Sequence, residues 1–253
     1  MTGTARYEAT KIPEAIKYPR ELSLPGPWSG SHDAHLTFVA SEDFRQTAMV
    51  VPSPPFPPGP RHEIEPLSKE SLRRLALDAR KAFVATISDG ERTMLEQRLA
   101  QHLTSLCTEA KVVGGYAPLG SKINPLLAIK EARAIGRIVA FPAFDHPAKP
   151  FRFRANNPLK PKPFGIMQPK ARTPVVEPDL ILIPLIAIDG SGTRLGRGKG
   201  HYDRALVRLK KSGAFLVGVG WPLQRLVETI PTDEWDVPLD AFASPEGLEI
   251  FRR

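Results

Sequence analysis

Between Gly190 and Asp203 the chain carries the residue types best suited to hold an anion. The stretch reads Gly190-Ser191-Gly192-Thr193-Arg194-Leu195-Gly196-Arg197-Gly198-Lys199-Gly200, followed by His201-Tyr202-Asp203. Arg194, Arg197 and Lys199 place three cations within six residues. The interleaved glycines let the backbone approach a ligand closely and turn its N–H groups inward. A helix expected from about Gly200 to Lys211 adds unpaired donors and a positive partial charge at its start. Together these features make a site for several phosphates. Asp203, in the first turn of that helix, suits the helix dipole, and beside a polyphosphate its carboxylate is also a ligand for Mg²⁺. The bland alternative, a glycine-rich solvent turn, does not account for strand, cations and helix start coinciding. The spacing is not that of a Walker A loop, because five residues separate Gly192 from Gly198 and Gly200 stands where Ser or Thr is needed. A Rossmann fingerprint is excluded by the late position and heavy positive charge.

The elements that must position this loop are legible around it. Leu180–Leu185 is almost wholly apolar, as a strand buried on both faces of a parallel sheet should be. The loop therefore leaves the carboxyl end of a central strand, the edge at which open α/β sheets bind ligands. Upstream, Leu72, Leu75, Ala76, Ala79 and Phe83 recur at helical spacing over Ser68–Ile87. Ser88-Asp89-Gly90-Glu91 matches a capping box that starts a second helix. Strands are expected at Val112–Tyr116, Arg137–Pro142, Phe151–Arg154, Phe215–Gly220 and Glu246–Phe251. A third helix is expected to run to about Ile135, with Asn124 as N-cap and Pro125 in its first turn. A basic loop fills Asn156–Pro174. Strands alternating with helices give a three-layer αβα sandwich with a mainly parallel sheet.

Residues 1–66 differ in kind and are read as a proline-rich irregular extension, with the α/β domain over 67–253. Eleven of the 27 prolines fall in that extension, so polyproline-like chain is expected there. A short strand at Leu36–Ala40 and a helical turn at Asp43–Val51 are expected within it. His32 and His35 lie three apart in this segment, with no third metal ligand nearby.

Composition narrows the class. The 35 basic against 27 acidic residues give a formal charge of +8, which suits an anionic ligand or a nucleic acid. A nucleic-acid reading of the basic stretch Arg152–Arg172 lacks interleaved stacking aromatics and ranks last. No apolar run is long enough to span a bilayer, and Met1–Arg20 lacks a secretory pattern. Cys107 is the single cysteine, which excludes an internal disulfide and fits a reducing, cytoplasmic setting.

The block Pro178–Pro184 through Asp189, then Arg194–Asp203, resembles the signature of the 5-formyltetrahydrofolate cyclo-ligases (methenyltetrahydrofolate synthetases). The likeness extends over roughly Ser68–Gly247, including Gly165-Ile166 before Pro169 and Gln224 through Asp236. It implies a CoA-transferase-like α/β fold and an ATP- and Mg²⁺-dependent ligase of folate one-carbon metabolism. ATP phosphorylates the formyl oxygen of 5-formyltetrahydrofolate, N10 closes the ring, and phosphate leaves to give 5,10-methenyltetrahydrofolate. By matching position, Lys69, Arg73 and Arg194 through Tyr202 would bind ATP, with Arg197 and Lys199 catalytic. Leu119, Lys122, Asn124, Arg197 and His201 would bind the folate, and Asp203 and Asp236 would hold Mg²⁺.

Against the family pattern, the nucleotide half is kept and the folate half is changed. Ser121-Lys122-Ile123-Asn124-Pro125 stands where family members carry two acids that hold the pterin. A carboxylate accepts hydrogen bonds from pterin N–H groups, whereas Lys has only donors. Ile188, Gln168, Asn157, His201 and Trp235 also stand where Phe, Glu, Trp, Tyr and His are common. Two readings follow: a cyclo-ligase with an adapted pterin pocket, or a divergent paralogue that binds ATP. Such a paralogue would act on another anionic substrate or have lost folate turnover.

Overall fold

Two serines set the beginning of the helical layer. Ser68 caps α1 (Lys69–Thr86), its Oγ accepting the Ser71 amide at 3.2 Å. Ser88 caps α2 (Asp89–Glu109) in a complete capping box. Its Oγ accepts the Glu91 amide, and the Glu91 carboxylate accepts the Ser88 amide at 2.8 Å. The computed structural model describes residues 68–144, 146, 150–156, 160–162 and 166–251. Expectations for residues 1–66 and for Asn157 lie outside them.

The chain continues as β1 (Val112–Gly114), α3 (Leu126–Ala134), β2 (Ile138–Ala143) and β3 (Arg152–Ala155). Next come β4 (Lys160–Lys162), β5 (Ile166–Gln168), β6 (Leu180–Pro184), β7 (Ala187–Ile188) and β8 (Arg194–Leu195). It closes with α4 (His201–Lys211), β9 (Phe215–Val219), β10 (Ala241–Ser244) and β11 (Gly247–Ile250).

Among the described residues, seven strands form the main sheet in the order β11-β10-β9-β6-β1-β2-β3. The five inner strands pair in parallel, and β3 and β11 run antiparallel at the two edges. β6 lies at the centre, and its side chains alternate between two cores. Leu180 and Leu182 pack with Leu99 and Leu103 of α2 and Ile129 of α3. Ile181 and Ile183 pack with Ala205, Leu206 and Leu209 of α4. Burying each such side chain contributes about 1.5–3 kcal/mol, so both faces resist exposure. This is the expected three-layer sandwich. Among the described residues no helix is long and apolar enough to cross a membrane.

Four local expectations are corrected. Pro125, rather than Asn124, occupies the N-cap of α3; Asn124 instead folds an Asx turn, its Oδ1 accepting the Leu126 amide at 2.9 Å. The basic stretch after β3 contains the antiparallel pair β4–β5. β10 is not signalled by the sequence, because Ala241-Phe242-Ala243 is a buried run too short to mark a strand. The glycine-rich segment also does not act as one loop. Its first half is a hairpin turn between β7 and β8, closed by the buried Asp189 carboxylate. Asp189 Oδ1 accepts the Ser191 and Thr193 amides at 2.9 and 3.0 Å, while Oδ2 accepts the Ile230 amide at 2.8 Å.

Candidate active site

Beyond the hairpin turn, Arg194–Asp203 runs past the carboxyl end of β6. There the segment becomes a wall with a hollow on each side. Positive φ angles at Gly198 (78°) and Gly200 (63°) bend this wall, and Gly200 is the N-cap of α4. A side chain at either position would sit in a backbone region that L-residues rarely adopt.

One hollow is lined by charge. α1 contributes Lys69 and Arg73, spaced four apart on one helix face. Arg73 Nε donates to the Gly196 carbonyl at 3.0 Å, tying the helix to the wall. Lys69 Nζ donates to Asp233 Oδ2 and Asp236 Oδ2, each at 2.5 Å. Burial works against the Lys69 ammonium, but these two carboxylates outweigh it and hold its pKa above the ordinary value. α4 adds Asp203, Arg204 and Val207, and the turn before Pro238 adds Asp233, Trp235 and Asp236. That turn is closed by the Asp236 amide donating to Asp233 O at 3.0 Å.

The second hollow is mainly apolar, with cations among its lining residues. Leu119, Pro142, Phe144, Phe151, Met167 and Ile186 line it, together with Arg80, Tyr116 and Lys122. From the wall come Arg197, Lys199, His201 and Tyr202. Edge-to-face contacts fix the aromatic side: Phe144 with His201 at 4.9 Å between ring centroids, and Phe151 with Tyr202 at 5.0 Å. Burial, with Arg204 and Lys199 nearby, lowers the His201 pKa, and burial raises that of Tyr202. Lys122 is brought down to about 8, first by burial and then by Arg197 and Arg80.

Arg194, Gly196, Gly198, Gly200 and Asp203 line both hollows. Arg194 is buried, and its Nη2 donates to Asp203 Oδ1. Its Nε has no hydrogen-bond partner among the described residues. A buried guanidinium N–H without an acceptor is costly, and an oxygen of an incoming anion would satisfy it.

The residues expected to bind nucleotide therefore divide. Lys69, Arg73, Arg194, Leu195, Gly196, Gly198 and Gly200 line the charged hollow, along with Asp203 and Asp236. Arg197, Lys199, His201 and Tyr202 face the apolar one, with Leu119 and Lys122. Asn124 lines neither, and its acceptor is used in the Asx turn. Sequence reasoning missed Arg80 and Asp233. Arg80 is buried, and donates to Ser121 Oγ and to the Leu185 carbonyl, both at 3.1 Å. A signal existed: Lys69, Arg73 and Arg80 fall on one stripe of α1 by helical spacing. Asp233 gave no signal beyond its place three residues before Asp236.

Known proteins resemble this chain over the same domain. The model of the 5-formyltetrahydrofolate cyclo-ligase family matches residues 66–245. The chain is 31% identical over 183 residues to the 5-formyltetrahydrofolate cyclo-ligase of Haemophilus influenzae, covering 68% of this chain and 97% of that protein. It is 28% identical over 194 residues to the enzyme of that name from Mycolicibacterium smegmatis, covering 72% and 96%. The solved structure of Aquifex aeolicus 5,10-methenyltetrahydrofolate synthetase superposes with a TM-score of 0.62 at 28% identity, over 73% of this chain and 93% of that one. A family match across most of the described domain, joined to relatives of that name and a solved structure of like fold, leads to one conclusion: the chain belongs to the 5-formyltetrahydrofolate cyclo-ligase family.

Proposed function

We propose that this chain converts 5-formyltetrahydrofolate to 5,10-methenyltetrahydrofolate, using ATP to make the formyl oxygen a leaving group. The observation that carries the mechanism is the shared wall: five residues of Arg194–Asp203 line both hollows. Nucleotide phosphates belong with Lys69, Arg73 and Arg194 on the charged side. The pterin belongs against Leu119, Phe144, Phe151 and Ile186 on the apolar side. The terminal phosphoryl group is then transferred directly to the formyl oxygen where the two hollows share this wall. N10 attacks the activated carbon, its proton is lost, and phosphate departs with the former formyl oxygen.

In such a transfer the protein chiefly positions the reactants and stabilises charge. Arg197 and Lys199 stand on the folate side, where the charge of the transferred group arrives. Arg194 can offer its unpartnered Nε to the same oxygens from the wall. Apolar surroundings exclude water and keep the activated formyl carbon from hydrolysis.

Mg²⁺ fits the donor set. Among the described residues no three His, Cys, Asp or Glu groups stand close enough to cage a metal. Asp203 and Asp236 both line the charged hollow, and Mg²⁺ characteristically takes one or two carboxylates and completes its shell with phosphate oxygens and water. When bound it would neutralise charge on the nucleotide phosphates. The single cysteine, Cys107, is buried and free, in keeping with a cytoplasmic enzyme.

The test is turnover of the purified chain with ATP, Mg²⁺ and 5-formyltetrahydrofolate, followed by absorbance of the methenyl product. Saturable formation with one ADP per methenyl group is expected. ATP binding without product would favour the paralogue reading, in which Lys122 has adapted the apolar hollow to another anion.

A further inference from the structure

The hydrogen-bond acceptors around Lys122 are already taken by the protein. Leu185 O accepts from Arg80 Nη1 at 3.1 Å and from Gln224 Nε2 at 2.8 Å, which uses both its lone pairs. Gln224 Nε2 also donates to Ile186 O at 2.9 Å. On either side of Lys122, Ser121 O accepts the Trp221 indole N–H at 2.9 Å, and Ile123 O accepts the Tyr116 hydroxyl at 2.8 Å. Ser121 Oγ accepts from Arg80 Nε. Asp203, the one carboxylate among the described residues lining the apolar hollow, accepts from Arg194.

Lys122 is the reverse case, a donor without an acceptor. Its Nζ lies 5.8 Å from the centre of the Tyr116 ring and makes no hydrogen bond or ion pair among the described residues. Arg80 and Arg197 stand close enough to act on its charge, and with a pKa of about 8 it keeps its proton at neutral pH. This end of the hollow therefore presents donors and positive charge. A ring edge bearing an amino group would set donor against donor there, whereas an edge bearing oxygen finds its partner.

5-Formyltetrahydrofolate has one such edge. C4 and N5 are bonded to the same ring-fusion carbon, so the 4-oxo oxygen lies beside the formyl group, with the 2-amino group at the far end of that ring. We propose that Lys122 selects the ring bound in the apolar hollow: its ammonium donates to the 4-oxo oxygen, turns that edge and the adjacent formyl group toward Arg197, and rejects a ring with an amino group at C4. The inference rests on the folate reading given above and deepens it. A site built to donate to an oxygen discriminates strongly against the analogue lacking it, because a buried donor is then left unpaired.

The test is calorimetric titration of 5-formyltetrahydrofolate, and of its counterpart with an amino group in place of the 4-oxo oxygen, into the wild type, Lys122→Met and Lys122→Glu. The wild type should bind the 4-oxo ring more tightly by on the order of tenfold or more. Lys122→Met should lose most of that preference, since methionine neither donates nor carries charge. Lys122→Glu should erase or reverse it, because a carboxylate accepts from the 4-amino group. Equal affinity of the wild type for the two rings would overturn the proposal, and so would a preference undiminished in Lys122→Met. In either case, binding of 5-formyltetrahydrofolate would leave the folate reading standing. Binding of neither ring to the wild type would remove the folate reading and the proposal with it.

Discussion

Lys69 Nζ sits 2.5 Å from the carboxylate of Asp236, a residue 167 positions away in the chain, and equally close to Asp233. The cation expected to hold phosphate and the carboxylate expected to hold Mg²⁺ are thus each other's partners before a ligand arrives. On the proposed reading, nucleotide binding draws Lys69 from Asp236 toward phosphate, with Asp233 left to keep the ammonium in place. Lys69→Met should therefore weaken Mg·ATP binding by on the order of tenfold or more, because it leaves two carboxylates facing the phosphates. Asp233→Asn should change it by only a few-fold. Calorimetry on both variants decides, and the reverse ranking would contradict the exchange.

Lys122 gives a pH-dependent prediction. Its pKa of about 8 in the folded chain lies below the ordinary 10.5, owing to burial and then to Arg197 and Arg80. Below pH 8 the lysine is charged in both folded and unfolded states, and the folded state bears the full cost of the buried charge. Between about pH 8 and 10.5 the unfolded chain holds the proton and the folded chain does not, so this cost fades as pH rises. Lys122→Met should accordingly raise stability at pH 7 by on the order of 1–3 kcal/mol. The gain should shrink by pH 10. Urea denaturation of both proteins at the two pH values measures it; a gain independent of pH would refute the assignment.

Lys122 and Asn124 looked equivalent in sequence, as two replaced acids, and the structure separates them. Asn124→Ala should cost about 1 kcal/mol of stability through the lost Asx turn and leave the folate KM unchanged. Lys122→Glu should move the folate KM several-fold, because that side chain lines the apolar hollow. Steady-state kinetics beside thermal melts distinguishes the two. A KM change confined to the Asn124 variant would overturn this placement.

Gly192 has φ of 81°, and a Cβ there would lie 2.5 Å from the Leu239 carbonyl oxygen. Gly90, in the first turn of α2, would place a Cβ in open space. Gly192→Ala should destabilise the chain by about 2 kcal/mol or more. Gly90→Ala should be neutral or stabilise it by up to about 1 kcal/mol. Melting temperatures that move together would contradict the different roles given to these glycines.

How much of this was legible in the sequence follows from which forces were local. The caps at Ser68 and Ser88 use partners three residues away, and both were readable. The unbroken apolar run of β6 announced a strand covered on both faces, and so fixed the sheet centre. The function of Asp189 was hidden, because one of its partners, the Ile230 amide, is 41 residues distant. Without that contact, Gly190–Thr193 reads as part of the binding loop rather than as a hairpin turn. The division of the wall was hidden for a related reason: the path of Arg194–Gly200 turns on positive φ angles at Gly198 and Gly200, which the spacing of the cations does not reveal. Arg80 shares its helical stripe with Lys69 and Arg73, but its burial depends on Ser121 and Leu185 reaching it from other elements.

On the proposed reading, the terminal phosphoryl group of a nucleotide in the charged hollow is transferred to the formyl oxygen of a folate in the apolar one, at the shared Arg194–Asp203 wall. The transfer is tested most directly with 5-formyltetrahydrofolate carrying heavy oxygen in the formyl group, turned over with unlabelled ATP in unlabelled water. Mass analysis of the released inorganic phosphate should find one labelled oxygen per phosphate formed. Unlabelled phosphate accompanying methenyl product would show that ATP is hydrolysed apart from the formyl group, and would contradict the transfer.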